Sequence, residues 1–139
     1  MLKQFVNRFM KAKPELEKKF SEQHIYSYQD LVEATLSAIS HTDEEDEERN
    51  DEEYCPEMDI SKIREIDDGH YQGTLLYIIP EDSYQPCTYY AVSVCYGSCS
   101  ACDTLQSISA DYYYEKPNKQ NIEDYMRLAL HIVQGLKII

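Results

Sequence analysis

Leu2, Phe5, Val6, Phe9 and Met10 recur at i, i+3, i+4, i+7 and i+8, the spacing of one helical face. Lys3, Arg8 and Lys11 fall on the opposite face. Pro14 disfavours helical backbone at Lys13 yet suits a first helical turn. The pattern therefore predicts a break there and a helical restart from Glu15 to Phe20. A second helix is marked by Ser27 as N-cap, with Asp30 three residues on as in a capping box. Its apolar stripe is Tyr28, Leu31, Val32, Leu36 and Ile39, and it ends near Ser40.

Beyond residue 60 the period changes. Ile60 to Ile66 reads as a short helical turn, and Asp67-Asp68-Gly69 as a strong turn signal. Tyr71 to Ile79 and Tyr89 to Tyr96 read as strands, the second placing Tyr90, Val92, Val94 and Tyr96 on one face. Thr104 to Ile108 is too short to classify, and Tyr112-Tyr113-Tyr114 would supply a third, edge strand. Pro117 and Asn118 introduce a last helix, in which Asn121 with Asp124 repeats the cap pattern. Ile122, Tyr125, Met126, Ala129, Ile132, Val133 and Leu136 form its stripe. The order predicts one α+β domain over residues 1–139. A small antiparallel sheet, a hairpin plus the third strand, would pack against N-terminal and C-terminal helices. Gly69 and Gly97 sit at turns where a positive φ would be natural.

Charge adds a second layer. The net charge is −13, and −8 of it lies in Asp43, Glu44, Glu45, Asp46, Glu47, Glu48, Asp51, Glu52 and Glu53 with Arg49. Self-repulsion at this density opposes compaction, so a mobile acidic segment is expected at about residues 41–57. A surface of this sign repels nucleic acid and anionic membrane and attracts basic proteins. No apolar run approaches the roughly 20 residues of a membrane helix, and charges interrupt the N-terminal apolar positions, so no signal peptide is read. A cytoplasmic protein with reduced thiols is expected, without direct nucleic-acid or membrane binding.

The sequence CYGSCSAC places Cys95, Cys99 and Cys102 at C-x3-C-x2-C spacing. Such spacing serves iron–sulfur clusters of radical enzymes, but too little chain follows to build their barrel. Zinc needs four ligands, and Cys99 with Cys102 makes one pair; Cys87, His70 or His131 would have to be recruited by folding. A thioredoxin-like dithiol needs a βαβ context, which is missing. A structural turn asks least: Gly97, Ser98, Ser100 and Ala101 are small, and Asp103 can cap the turn that follows. The balance favours structure, and neither cofactor nor metal is expected. Asp67, Asp68, Cys99, Cys102, Asp103 and His131 remain the candidate members of a ligand site. His131 shares a polar helix face with Arg127 and Gln134, so a solvated face is its simpler reading. No nucleophile–base arrangement or phosphate-cradling glycine loop is seen.

Three stretches carry a resemblance. They are Ile66-Asp67-Asp68-Gly69-His70-Tyr71-Gln72-Gly73-Thr74-Leu75-Leu76, Tyr96-Gly97-Ser98-Cys99-Ser100-Ala101-Cys102-Asp103-Thr104-Leu105-Gln106 and Tyr125-Met126-Arg127-Leu128-Ala129-Leu130-His131-Ile132-Val133-Gln134. They resemble a group of small uncharacterised proteins of tailed bacteriophages. The resemblance implies a setting, the bacterial cytoplasm during infection, and transfers no catalytic residue. Three functions are compatible: a modulator binding a basic host protein, a small-ligand or thiol site at the cysteine turn, or a minor virion component. Thirteen tyrosines and no recognisable catalytic constellation favour the first.

Deleting Asp43 to Glu53 is expected to leave thermal stability nearly unchanged, because such a segment buries little apolar surface. A large drop in melting temperature would show that the segment is docked.

Overall fold

The structure, a computed structural model, describes residues 2–23, 25–40, 56–98, 103–110 and 116–139. In chain order these form α1 (Leu2–Glu22), α2 (Tyr28–Ile39), a 3-10 turn at Ile60–Lys62, β1 (Arg64–Asp67), β2 (Gly73–Pro80), β3 (Tyr89–Tyr96), α3 (Thr104–Ala110), α4 (Lys119–Gln134) and β4 (Lys137–Ile138). The sheet is antiparallel, with its strands in the order β1-β2-β3-β4. The fold is α+β, a small sheet packed against helices, as the periodicities predict.

Register decides which side chains meet. Leu75 lies opposite Val94, Tyr77 opposite Val92 and Ile79 opposite Tyr90. Leu75, Tyr77, Ile79, Tyr90 and Val92 join the buried stripes of α1 (Phe5, Phe9, Leu16, Phe20), α2 (Leu31, Val32, Leu36, Ile39) and α4 (Tyr125, Ala129, Ile132, Val133) in one core. The other sheet face carries Ile66, Leu76, Ile78, Ser93 and Cys95. Among the described residues four tyrosines, Tyr28, Tyr77, Tyr90 and Tyr125, are buried. Tyrosine in this chain is therefore partly a core residue and not only a surface one.

Several local expectations are corrected. α1 runs through Pro14 without a break. Phe5, Phe9, Leu16 and Phe20 share one stripe only if the helix is continuous, and burying all four outweighs the local preference at Lys13. Arg8 leaves the polar face and is buried. Its Nη1 donates to the Ile39 carbonyl at 3.2 Å, and its guanidinium lies 5.7 Å from the centroid of the Phe5 ring. A cation there meets the negative end of α2. Where a helical turn was expected over Ile60 to Ile66, only Ile60–Lys62 is helical, and Arg64–Asp67 pairs with β2 instead. The cap of α4 is Asn118, three residues before Asn121. Asn118 Oδ1 accepts from the Asn121 N–H at 2.8 Å and Asn121 Oδ1 from the Asn118 N–H at 2.9 Å. The α2 cap is as expected, with Ser27 Oγ accepting from the Asp30 N–H.

The expected strand at Tyr112 to Tyr114 lies outside the described residues, as do residues 41–55 of the acidic segment. Its last two residues are docked: Tyr90 Oη donates to the Pro56 carbonyl at 2.8 Å, and the Asp82 N–H to the Glu57 carbonyl at 2.7 Å. No described helix is long and apolar enough to cross a membrane.

The β1–β2 turn is unusually tight. Asp68 Oδ1 accepts from the Thr74 N–H at 2.7 Å, and the Gln72 N–H donates to the His70 carbonyl at 2.6 Å. The residue between those last two, Tyr71, takes φ 61° while 85% exposed. No described glycine has a positive φ, so Gly69 and Gly97, contrary to the expectation from their turns, do not occupy left-handed backbone. Gly69 is needed for a close approach instead, because a β-carbon there would run into the Gln72 carbonyl oxygen. Replacing Tyr71→Asn should raise stability by about 0.5–1 kcal/mol, since asparagine tolerates left-handed backbone and little packing is lost. Gly69→Ala should lower it by about 1–3 kcal/mol. Urea denaturation of both variants checks the signs, and the reverse order would refute this geometry for the turn.

Candidate functional site

Asp103 is the first residue after the cysteine turn and is 4% exposed. It caps α3 as its position before Thr104 predicts: Oδ1 accepts from the Gln106 N–H at 3.0 Å. The same carboxylate reaches two other elements. Oδ2 accepts from the Gly97 N–H at 2.8 Å, just beyond β3. Oδ1 also accepts from the Tyr28 hydroxyl at 3.0 Å, in the first turn of α2. Tyr28 Oη in turn accepts from the Leu105 N–H at 3.3 Å, and Gln106 Nε2 donates to the Gly97 carbonyl at 2.9 Å. The two ends of the cysteine turn are thus tied to each other and to α2.

Above this knot lies a cleft of about 290 Å³. Asp103, Tyr28 and Gly97 line it, together with Glu65 and Asp67 of β1, Tyr96 of β3 and Tyr26 from the α1–α2 connection. No lysine, arginine or histidine is among the described residues lining it. Tyr77 donates to Glu65 Oε2 at 2.6 Å, and Tyr96 to Asp67 Oδ1 at 2.6 Å. Asp67 also accepts from the Gly69 N–H at 3.0 Å. The hydrogen bond from Tyr96, then that from Gly69, hold the Asp67 carboxyl below the usual aspartate range. The bond to Asp67, followed by desolvation, pushes Tyr96 up to about 12. Burial raises Tyr77, reinforced by its bond to Glu65. Burial also pushes Tyr28 up to about 12, with the Leu105 N–H opposing and Asp103 reinforcing.

The six candidate ligand residues fare differently. Asp67 and Asp103 are brought to one cleft. Asp68 turns into the hairpin, bonded to the Thr74 N–H. His131 is exposed on α4 and does not line the cleft. Cys99 and Cys102 lie outside the described residues, as do the acidic positions Asp43 to Glu53. Cys87 and Cys95 are free thiols on the surface. Among the described residues no group of three His, Cys, Asp or Glu side chains could hold a metal ion. Tyr26 and Glu65 are cleft residues that no sequence pattern marks, and Tyr28 and Tyr96, marked there only as members of apolar faces, also line the cleft. The signal for Tyr28 was present, since it follows an N-cap serine, but its partner lies 75 residues away.

Comparison of the chain with protein-family models, with curated proteins and with solved structures finds no match in any of the three.

Tyr28→Phe removes the acceptor of the Leu105 N–H and one of the two donors to Asp103 Oδ1, and should cost about 1–3 kcal/mol. The folded-state pKa of about 12 lies above the ordinary 10, so this contribution is complete below pH 10 and is lost as pH rises through 12. The stability gap between the native chain and Tyr28→Phe, read by denaturation, should therefore narrow over that window. A gap independent of pH there would contradict the Tyr28–Asp103 bond.

Proposed function

We propose that this protein is an interaction module that binds a basic surface on a partner protein, through its acidic segment and the acidic face of the folded domain. The observation that carries this reading is the concentration of −8 of the net charge within Asp43 to Glu53. Such a linear density of charge is comparable with that of a nucleic-acid backbone. The fold supports the reading at both flanks of the segment. Ser40 is buried at the end of α2, and Pro56 and Glu57 are pinned beside β2 and β3, so the acidic stretch is attached to a rigid body at each end. Charge supplies rate and orientation, whereas the folded surface supplies selectivity. The resemblance to small phage proteins supports a setting in which the partner is a host protein, one that handles nucleic acid or serves in defence. In that setting the protein acts in the bacterial cytoplasm as an inhibitor or modulator.

Immobilised protein should retain basic nucleic-acid-handling proteins from a bacterial lysate and release them as salt rises, because exposed charge pairs are screened. Converting Glu44, Glu45, Glu47 and Glu48 to Gln should lower the salt needed for release. Retention of the same proteins, at the same salt, by that variant would refute a role for the segment.

A further inference from the structure

We infer that two clefts on either side of Tyr26 form a docking surface for an arginine-bearing segment of the partner. This deepens the reading above, on which it rests, by locating the folded part of the contact. The first cleft is the one over Asp103, with Glu65 and Asp67 on its wall. The second, about 750 Å³, lies between the end of α1, the outer face of α2 and the 3-10 turn, and carries Asp30 and Glu33. Tyr26 lines both and is 81% exposed.

The position of Tyr26 is fixed by its neighbours. Ile25 and Tyr28 are buried on either side of it, so two core side chains anchor the backbone that carries this exposed ring. An aromatic anchor held in this way loses little entropy on binding. Among the described residues the two clefts are lined by five carboxylates, Asp30, Glu33, Glu65, Asp67 and Asp103, and by one lysine, Lys19, in the second cleft. The hydroxyl bonds to Glu65 and Asp67 come from tyrosines and bring no positive charge to them. Charge complementarity therefore selects a cationic occupant. The tyrosine rings select arginine over lysine, because a planar guanidinium stacks on an aromatic face and forks onto a carboxylate. At about 290 Å³ the first cleft falls just below the ligand-site range of about 300–1,000 Å³, which suits one side chain better than a cofactor.

The test is titration of the isotope-labelled full chain with an acetylated, amidated octapeptide of alternating arginine and alanine, followed by amide chemical shifts. The surface predicts shifts at Tyr26, Gly97 and Leu105. Tyr26→Ala should weaken binding at least about fivefold, and Glu65→Gln and Asp67→Asn should weaken it while keeping the acceptors for Tyr77 and Tyr96. The same peptide with lysine for arginine should bind less tightly. Shifts confined to residues 41–55, or equal affinity for the lysine peptide, would overturn the docking surface and leave the basic-partner reading standing. Absence of binding by every form would overturn both.

Discussion

One buried carboxylate sets the geometry on which the rest of this surface depends. Taking Asp103 out of water is costly unless its oxygens are satisfied. Here they are, by donors from three elements: Tyr28 of α2, Gly97 after β3 and Gln106 of α3. Each element arrives with a donor that would otherwise be orphaned. The first turn of a helix exposes free N–H groups, and Gln106 supplies one of them. The bonds are mutual constraints, because moving any one element strands the others. They explain why a short helix of seven residues, α3, holds its place with only Leu105 and Ile108 buried.

The knot also explains the shape of the functional face. It draws the start of α2 towards the end of β3, and the cleft is the space left above. The walls come from a different source, the pairing of β1 with β2, which sets Glu65 opposite Tyr77 and Asp67 opposite Leu75. Those registers turn the β1 carboxylates to the helix side of the sheet, where tyrosine hydroxyls meet them. Buried tyrosines recur as links between core and polar surface: Tyr90 reaches Pro56, and Tyr125 lies 3.2 Å from Ser109 Oγ. Each ring fills core volume while its hydroxyl anchors a loop or a short helix.

Much of this was legible in the sequence where a local pattern sufficed. α2, α4 and the β2–β3 hairpin follow from apolar periods of 3.6 and 2, and Asp103 was readable as a cap from its position alone. What depended on distant contacts was not. The continuity of α1 through Pro14 is decided by a stripe whose burial needs α4, and the burial of Arg8 by the carbonyl of Ile39, 31 residues on. β1 lacks alternation, since all four of its residues are exposed, and it is a strand only because β2 pairs with it. The partition of tyrosines between core and surface is likewise set by the fold, so Tyr26 stands out as an anchor only once Tyr28, Tyr77 and Tyr96 have found their places.

If the Asp103 knot organises this face, its amides must be shielded for as long as the domain is folded. Hydrogen exchange of the native chain reads this directly. The account predicts that the Gly97 and Gln106 amides exchange as slowly as that of Val92 in the core strand β3. It further predicts that Asp103→Ala frees those two while leaving Val92 slow. Exchange of Gly97 and Gln106 at the rate of an unstructured chain in the native protein would contradict it.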